Sequence, residues 1–303
     1  MPHVTRFDPE QLATPPGYDG HHSGYRRHRH VDRSTGSTHT DFGTCELAAG
    51  ATLDPHVHSY EELIYVIEGE PVLTVDGESR RLRPDDCAFV GVGATHCVHN
   101  PGAAPARWID LVTPIARDPG EPADTFFVGG DAPTDGPAID VRDPRDRRYA
   151  RWAPAQMDLD ALKRPAPVDA PSVSASMSSA LLAYSGIGVK MVVDERHGAH
   201  LGQLFMVHYQ PDVVLHPHDH PIEEAFYMLE GEVVYLADGE EHLLTPGDVA
   251  FAPVGCIHAF ENRSGVECRW LETRAPHPPR HHAYRFDREW DYLEGALARR
   301  AGA

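Results

Sequence analysis

No stretch of this sequence approaches the ~20 consecutive apolar residues that a membrane-spanning helix needs. The N-terminus, MPHVTRFDPEQLATPPG, also lacks the apolar core of a secretory signal. Cysteine is scarce: the five residues (Cys45, Cys87, Cys97, Cys256 and Cys268) form no CxxC pair, and an odd count argues against a disulfide framework. Positive charge is short too, with 27 Lys and Arg against 46 Asp and Glu, a formal charge of −19. Such a balance repels nucleic acid and anionic membranes, so neither is expected as a partner. A cytoplasmic protein with reduced thiols is the expectation. What the chain does have is bulk: 303 residues, 41% hydrophobic, enough for two domains with cores of their own.

Histidine is in excess, with 21 copies. Some gather without evident order, as in 21-HHSGYRRHRH-30 and at His277, His281 and His282, and these read as exposed polar segments. Others are ordered by an internal repeat. The segment 53-LDPHVHSYEELIYVIEGE-70 superposes on 215-LHPHDHPIEEAFYMLEGE-232 at an offset of 162 residues (215 − 53). The offset holds further on, pairing Asp76-Gly77 with Asp238-Gly239, His96 with His258, Asn100 with Asn262, and Arg107-Trp108 with Arg269-Trp270. An ungapped match over about 55 residues is a duplication.

Each copy reads as all-β. Segments such as 63-LIYVIEG-69 and 86-DCAFVGVG-93 are short, rich in Val, Ile and aromatics, and bounded by Gly, Pro and Asp. The Asp-Gly pairs predict tight hairpin turns. We divide the chain into an N-terminal extension (1–35), a first domain (36–128), a linker with peripheral structure (129–177) and a second domain (178–303). The last closes with a short helix over 287–300, where Trp290, Leu293 and Leu297 have helical spacing.

In a strand, alternate side chains share a face, so His-x-His aims two imidazoles at one point. A carboxylate four residues on can join them, and a histidine on another strand can complete the set; His96 and His258 are so placed. Three neutral imidazoles and a carboxylate suit a divalent transition metal, iron or manganese first, with nickel, copper, cobalt and zinc admitted. They do not suit calcium or magnesium.

The pattern resembles the cupin superfamily, and its duplication resembles a bicupin. The family's first motif, G-x5-HxH-x3,4-E-x6-G, is met by Gly50, His56, His58, Glu62 and Gly69. Its second, G-x5-PxG-x2-H-x3-N, is met by Gly247, Pro253, Gly255, His258 and Asn262. Asp85 and Gly91 depart from the second motif in the first copy, and Asp212 from the first motif in the second copy; all are turn or spacing positions. The resemblance implies two tandem jelly-roll barrels. It implies one metal ion at most in each, held by His56, His58, Glu62 and His96, and by His218, His220, Glu224 and His258.

The segment 216-HPHDHPIEE-224 permits a second register, His216-x-His218 with Glu223. The repeat favours His218-x-His220 with Glu224, leaving His216 as an exposed residue or as an acid-base neighbour of the second centre. Many bicupins with this ligand set are dioxygenases of small molecules, in which Glu62 or Glu224 can double as a base. We expect a small-molecule substrate and dioxygen as partners, and leave a homo-oligomer open. A non-oxidative bicupin (a manganese-dependent aminohydrolase, decarboxylase or isomerase) and a non-catalytic binding protein are the alternatives. The second copy keeps the fuller motif, so chemistry is expected there first. Arg107 and Arg269 are read as substrate-holding or ion-paired, Tyr65 and Tyr227 as donors near the metal or as core, and Cys97 as buried and apolar.

Overall fold

The structure is a computed structural model that describes residues 2–118, 120–154, 158–159 and 185–277, and the backbone of 285–286. Among these residues it is built of β-strands with a few 3-10 turns. Each half packs a six-stranded antiparallel sheet on a five-stranded one. In the first barrel the larger sheet runs Tyr149–Arg151, Asp86–Val90, Glu61–Glu68, Ala106–Thr113, Asp41–Leu47, Tyr25–Val31. The smaller runs Thr125–Phe127, Thr52–His58, His96–His99, Val72–Val75, Glu78–Arg81. The second barrel repeats this with strands such as Glu223–Glu230, Cys268–Ala275, Val214–Asp219 and His258–Glu261.

The duplication therefore begins earlier than the segment that announces it. Tyr25–Val31 belongs to the first barrel's sheet as Ile187–Val193 belongs to the second's, ahead of a domain start at 36. The capped 3-10 turns Arg33–Thr35 and Glu195–His197, each ending in a left-handed glycine, extend the match. Two strands from outside the repeat close equivalent sheet edges. His3–Arg6 pairs with Asp248–Ala252 of the second barrel, and Tyr149–Arg151 with Asp86–Val90 of the first. The closing helix expected over 287–300 lies outside the described residues, as does the end of the linker from 160 to 177.

The sheets' larger faces explain the nearly continuous apolar runs. Along Glu61–Glu68, one set of alternate residues (Ile64, Val66) enters the first barrel's own core. The other set (Leu63, Tyr65) joins a core shared by both barrels, which includes Leu271, Val249 and Tyr227 from the opposite half. A sheet covered on both faces needs apolar residues at both parities. The two larger sheets thus pack against each other, and the two barrel interiors lie on their far sides.

The turns form as their residues predict. Asp76-Gly77 and Asp238-Gly239 have φ of 53°, 83°, 50° and 87°, the double left-handed turn of a two-residue hairpin. The Asp departures from the family motif leave the loops intact. Asp85 has φ 72° where its counterpart Gly247 has 89°, and Asp212 has 61° where Gly50 has 68°. Aspartate tolerates this region better than most residues, which is why it can stand in for glycine here.

Candidate metal centres

The first centre lies at the mouth of the first barrel. His56 and His58 project from the strand Thr52–His58, His96 starts the strand beside it, and Glu62 enters from the facing sheet. Nδ1 of each imidazole is committed to a backbone carbonyl: His56 to Asp54 (2.8 Å), His58 to Tyr60 (2.8 Å) and His96 to Ala94 (3.1 Å). These bonds place the proton on Nδ1 and leave Nε2 as a free lone pair, the tautomer a metal requires. Nε2 of His58 and of His96 stand 3.4 and 3.6 Å from Glu62 Oε2. The ligand atoms of His58, Glu62 and His96 all lie within 4.8 Å of one another. The His56 ring lies 3.9 Å from that of His96 between centroids, tilted by 53°, beside that triad and not within it.

The donor set fits a divalent cation. His96 Nε2 is buried without a hydrogen-bond partner, a state that is costly unless something accepts its lone pair. Glu62 is a largely buried carboxylate, its side chain 13% exposed, whose ion pairs, among the described residues, are with His58 and His96 alone. Burial alone would raise its pKa, but the two imidazoles outweigh that and hold it well below the usual carboxylate range. His56 is pushed down to about 3, chiefly by burial and then by the neighbouring His96, so it stays neutral.

The second centre gathers His218, His220 and His258, again with ligand atoms within 4.8 Å of one another. His218 Nδ1 bonds the carbonyl of His216 (2.8 Å) and His258 Nδ1 that of Cys256 (3.0 Å). Burial, followed by His258, holds His218 down to about 3. Two features break the symmetry. His220 presents Nδ1, not Nε2, to Glu224 Oε2 at 3.2 Å. Glu224 also accepts a hydrogen bond at Oε1 from Arg274 Nε (2.7 Å), and its carboxylate is held below the usual range by His220 and Arg274 against the cost of burial.

Other residues singled out in the sequence fall away from the centres. His216 is exposed, and only its carbonyl reaches the site. Glu223, the rival to Glu224, points into the other barrel. There it accepts hydrogen bonds from Ser37 Oγ, from the backbone N–H of Thr38, His39 and Thr40, and from Thr38 Oγ1. Its counterpart Glu61 accepts from the backbone N–H of His200 and Leu201 in return. Arg107 pairs with Glu46 and Glu68. Arg269 bonds Glu230 and lies over the Trp152 ring at 3.8 Å. Tyr65 and Tyr227 are core residues between the barrels, and Cys97 and Cys256 are buried.

Sequence reasoning missed the segment 21–30, which is not an exposed polar stretch. It forms the strand Tyr25–Val31, with His30 buried against Thr44 and Arg27 turned into the barrel. There Arg27 binds Asp110 through Nε and NH2 and Asp41 through NH1, at 2.7–3.1 Å. Burial would lower its pKa, but the two carboxylates keep it charged. Asp110 was the available signal, a carboxylate set among the apolar residues of 108-WIDLV-112. Arg27 and Asp110 line a cavity of about 370 Å³ that also touches His56, Glu62 and His96. Four aromatic residues (Tyr18, Tyr25, Tyr60 and Trp108) also line it, with aliphatic residues such as Leu53, Ile64 and Val98 between them. At the matching positions of the second barrel, among the described residues, bulkier side chains stand. Phe226, Tyr235 and Phe260 pack on one another at 5.0–5.8 Å and on His258 at 5.9–6.3 Å, where the first barrel has Ile64, Leu73 and Val98.

A profile of the cupin domain family matches residues 43–112 and 205–274, one match in each barrel. The chain is a bicupin. Two curated relatives of this bicupin come from streptomycetes. Tetracenomycin polyketide synthase protein TcmJ of Streptomyces glaucescens is 38% identical over 28% of this chain and 58% of its own length. Polyketide synthase CurC of Streptomyces cyaneus is 31% identical over 28% and 56%. The match thus spans little more than half the length of these relatives. Among solved structures, a variant of salicylate 1,2-dioxygenase from Pseudoaminobacter salicylatoxidans, in complex with gentisate, superposes with a TM-score of 0.66. It shares 18% identity and covers 91% of the bicupin and 82% of that chain. A deletion mutant of oxalate decarboxylase OxdC from Bacillus subtilis gives 0.60 at 16% identity over 97% and 83%. At such identities the likeness is one of fold.

Proposed function

We propose that this bicupin is a metal-dependent enzyme that oxidises a small, flat organic molecule with dioxygen, and that the reaction takes place in the first barrel. The observation that carries this reading is the cavity: a space of about 370 Å³ meets three of the four candidate ligands there, whereas among the described residues bulkier aromatic side chains stand at the matching positions of the second barrel. The sequence favoured the second barrel because its motif is fuller; room for a substrate argues for the first.

A divalent transition metal, iron or manganese foremost, would supply positions at which substrate oxygen atoms and dioxygen meet. His56, His58, Glu62 and His96 would hold it. The cavity volume falls in the range of small-ligand sites, and its aromatic walls favour a planar ring and exclude water. Tyr18, whose phenol burial pushes up to about 12, stays protonated and can donate to a substrate oxygen. Glu62 stays ionised at neutral pH, so a negative charge faces the cavity beside the histidines. Arg27 holds its wall in place through Asp41 and Asp110.

The test is oxygen consumption by the iron-loaded protein, with salicylate and gentisate as first probes and other phenolic acids after them. Uptake matched to loss of substrate supports the proposal. Equal turnover without oxygen would move the chain to the non-oxidative bicupins.

A further inference from the structure

The two centres are written with the same four ligands but are surrounded by different residues, and the difference bears on the carboxylate. In the sheet register Val112 stands directly across from Glu62, and Arg274 directly across from Glu224. These positions are equivalent under the repeat, 162 residues apart (274 − 112). Arg274 bonds Glu224 Oε1 at 2.7 Å and is braced from behind by the Phe205 ring, 4.5 Å from its guanidinium carbon. The position equivalent to Phe205 is Gly43, where a Cβ would come within 2.8 Å of the Arg27 side chain. Each barrel therefore buries one inward-facing arginine, but in a different place. Arg27 serves Asp110 and Asp41, leaving Glu62 without a permanent cation; Arg274 serves Glu224.

We propose that Arg274 makes the metal centres unequal: it engages one oxygen of the Glu224 carboxylate and neutralises its charge, so the first barrel is the tight site and the second a weak one. Three observations converge on this. The ligand atoms that all lie within 4.8 Å of one another include the glutamate in the first barrel and three imidazoles in the second, where Glu224 keeps only Oε2 toward His220 Nδ1 (3.2 Å) and His258 Nε2 (3.4 Å). A buried carboxylate already neutralised by a guanidinium gains less from a cation, and a fixed positive charge beside the site repels a second one. Finally, His220 has lost the orientation seen in His58. His58 Nδ1 bonds the carbonyl of Tyr60, whereas His220 Nδ1 faces Glu224. The inference rests on the reading of the imidazole clusters as metal centres, and it stands or falls independently of the oxidative reaction.

Titration of the metal-free protein with Co(II), in competition with a chelator and followed by visible absorption and by metal retained after gel filtration, tests it. Two binding steps at least tenfold apart are expected. Glu62→Gln should weaken the tight step. Arg274→Val, which installs the first barrel's own residue, should tighten the weak step by tenfold or more and raise retained metal from near one to near two ions per chain. Two steps of equal affinity in the wild type, or an Arg274→Val protein that is folded by circular dichroism yet unchanged in its weak step, would overturn the proposal. Should that variant not fold, Glu62→Gln decides: loss of the weak step in place of the tight one also overturns it. Binding of no ion by the wild type would remove both this inference and the proposed function, whereas equal steps remove the inference alone.

Discussion

Glu62 shows what a single carboxylate can do when no cation accompanies it. It is buried, close to two imidazoles and adjacent to the cavity, so its charge is stabilised most by an ion that the chain does not itself provide. Glu62→Gln keeps the shape and removes the charge. We expect metal affinity at the first centre to fall at least about tenfold and turnover to fall with it, read as metal content after gel filtration and as oxygen uptake. His216→Ala is the matched control. Its side chain is exposed and its carbonyl survives the change, so metal content and turnover should hold. That these histidines and glutamates gather could be read from spacing, because strand periodicity fixes which residues share a face. The character of each centre could not. That depends on whether valine or arginine stands across the sheet, and cross-strand register is set by non-local pairing that a linear pattern does not reveal.

At the scale of the strand, the doubled glutamates explain themselves. Glu61-Glu62 and Glu223-Glu224 sit on strands whose two faces are both covered, so one carboxylate of each pair turns toward an imidazole cluster and the other toward the opposite barrel. Glu223 accepts five hydrogen bonds of 2.7–3.0 Å from the turn Ser37–Thr40, and Glu61 answers from the equivalent position. Glu223→Ala would strand several buried donors at once, a loss of about 3 kcal/mol or more. The expected readout is a clear drop in the thermal unfolding midpoint, with Co(II) binding at the first centre preserved. An unchanged midpoint would show that the turn finds other acceptors. The sequence made strands, turns and the repeat legible because Asp-Gly pairs and apolar alternation are local signals. The strands that close the sheets were not legible: His3–Arg6 pairs with a strand about 245 residues away (248 − 3), and Tyr149–Arg151 comes from a segment with little periodicity.

Across the whole molecule, the two larger sheets meet in one apolar layer, and a histidine is built into its margin. His30 is 2% exposed, bonds Thr44 through Nε2, and lies 6.5 Å from the Phe42 ring and 6.4 Å from that of Tyr227 in the other barrel. Burial, reinforced by His28, Arg27 and His3, holds its pKa well below the ordinary 6.5. At neutral pH the imidazole is uncharged both folded and unfolded, and its contribution to the interface is fully present. As pH falls below about 6.5, the unfolded chain takes up a proton there that the folded chain refuses, so the unfolded state gains and stability declines toward the depressed folded pKa. The bicupin should therefore lose stability on mild acidification, before its carboxylates titrate. Denaturant unfolding of the wild type and of His30→Asn at a series of pH values between 7.5 and about 5 checks this. The variant should start lower, since it disturbs a buried contact, and fall less steeply as the pH drops. Parallel curves would assign the acid sensitivity to other histidines, and would show that the layer between the barrels tolerates a charge at its edge.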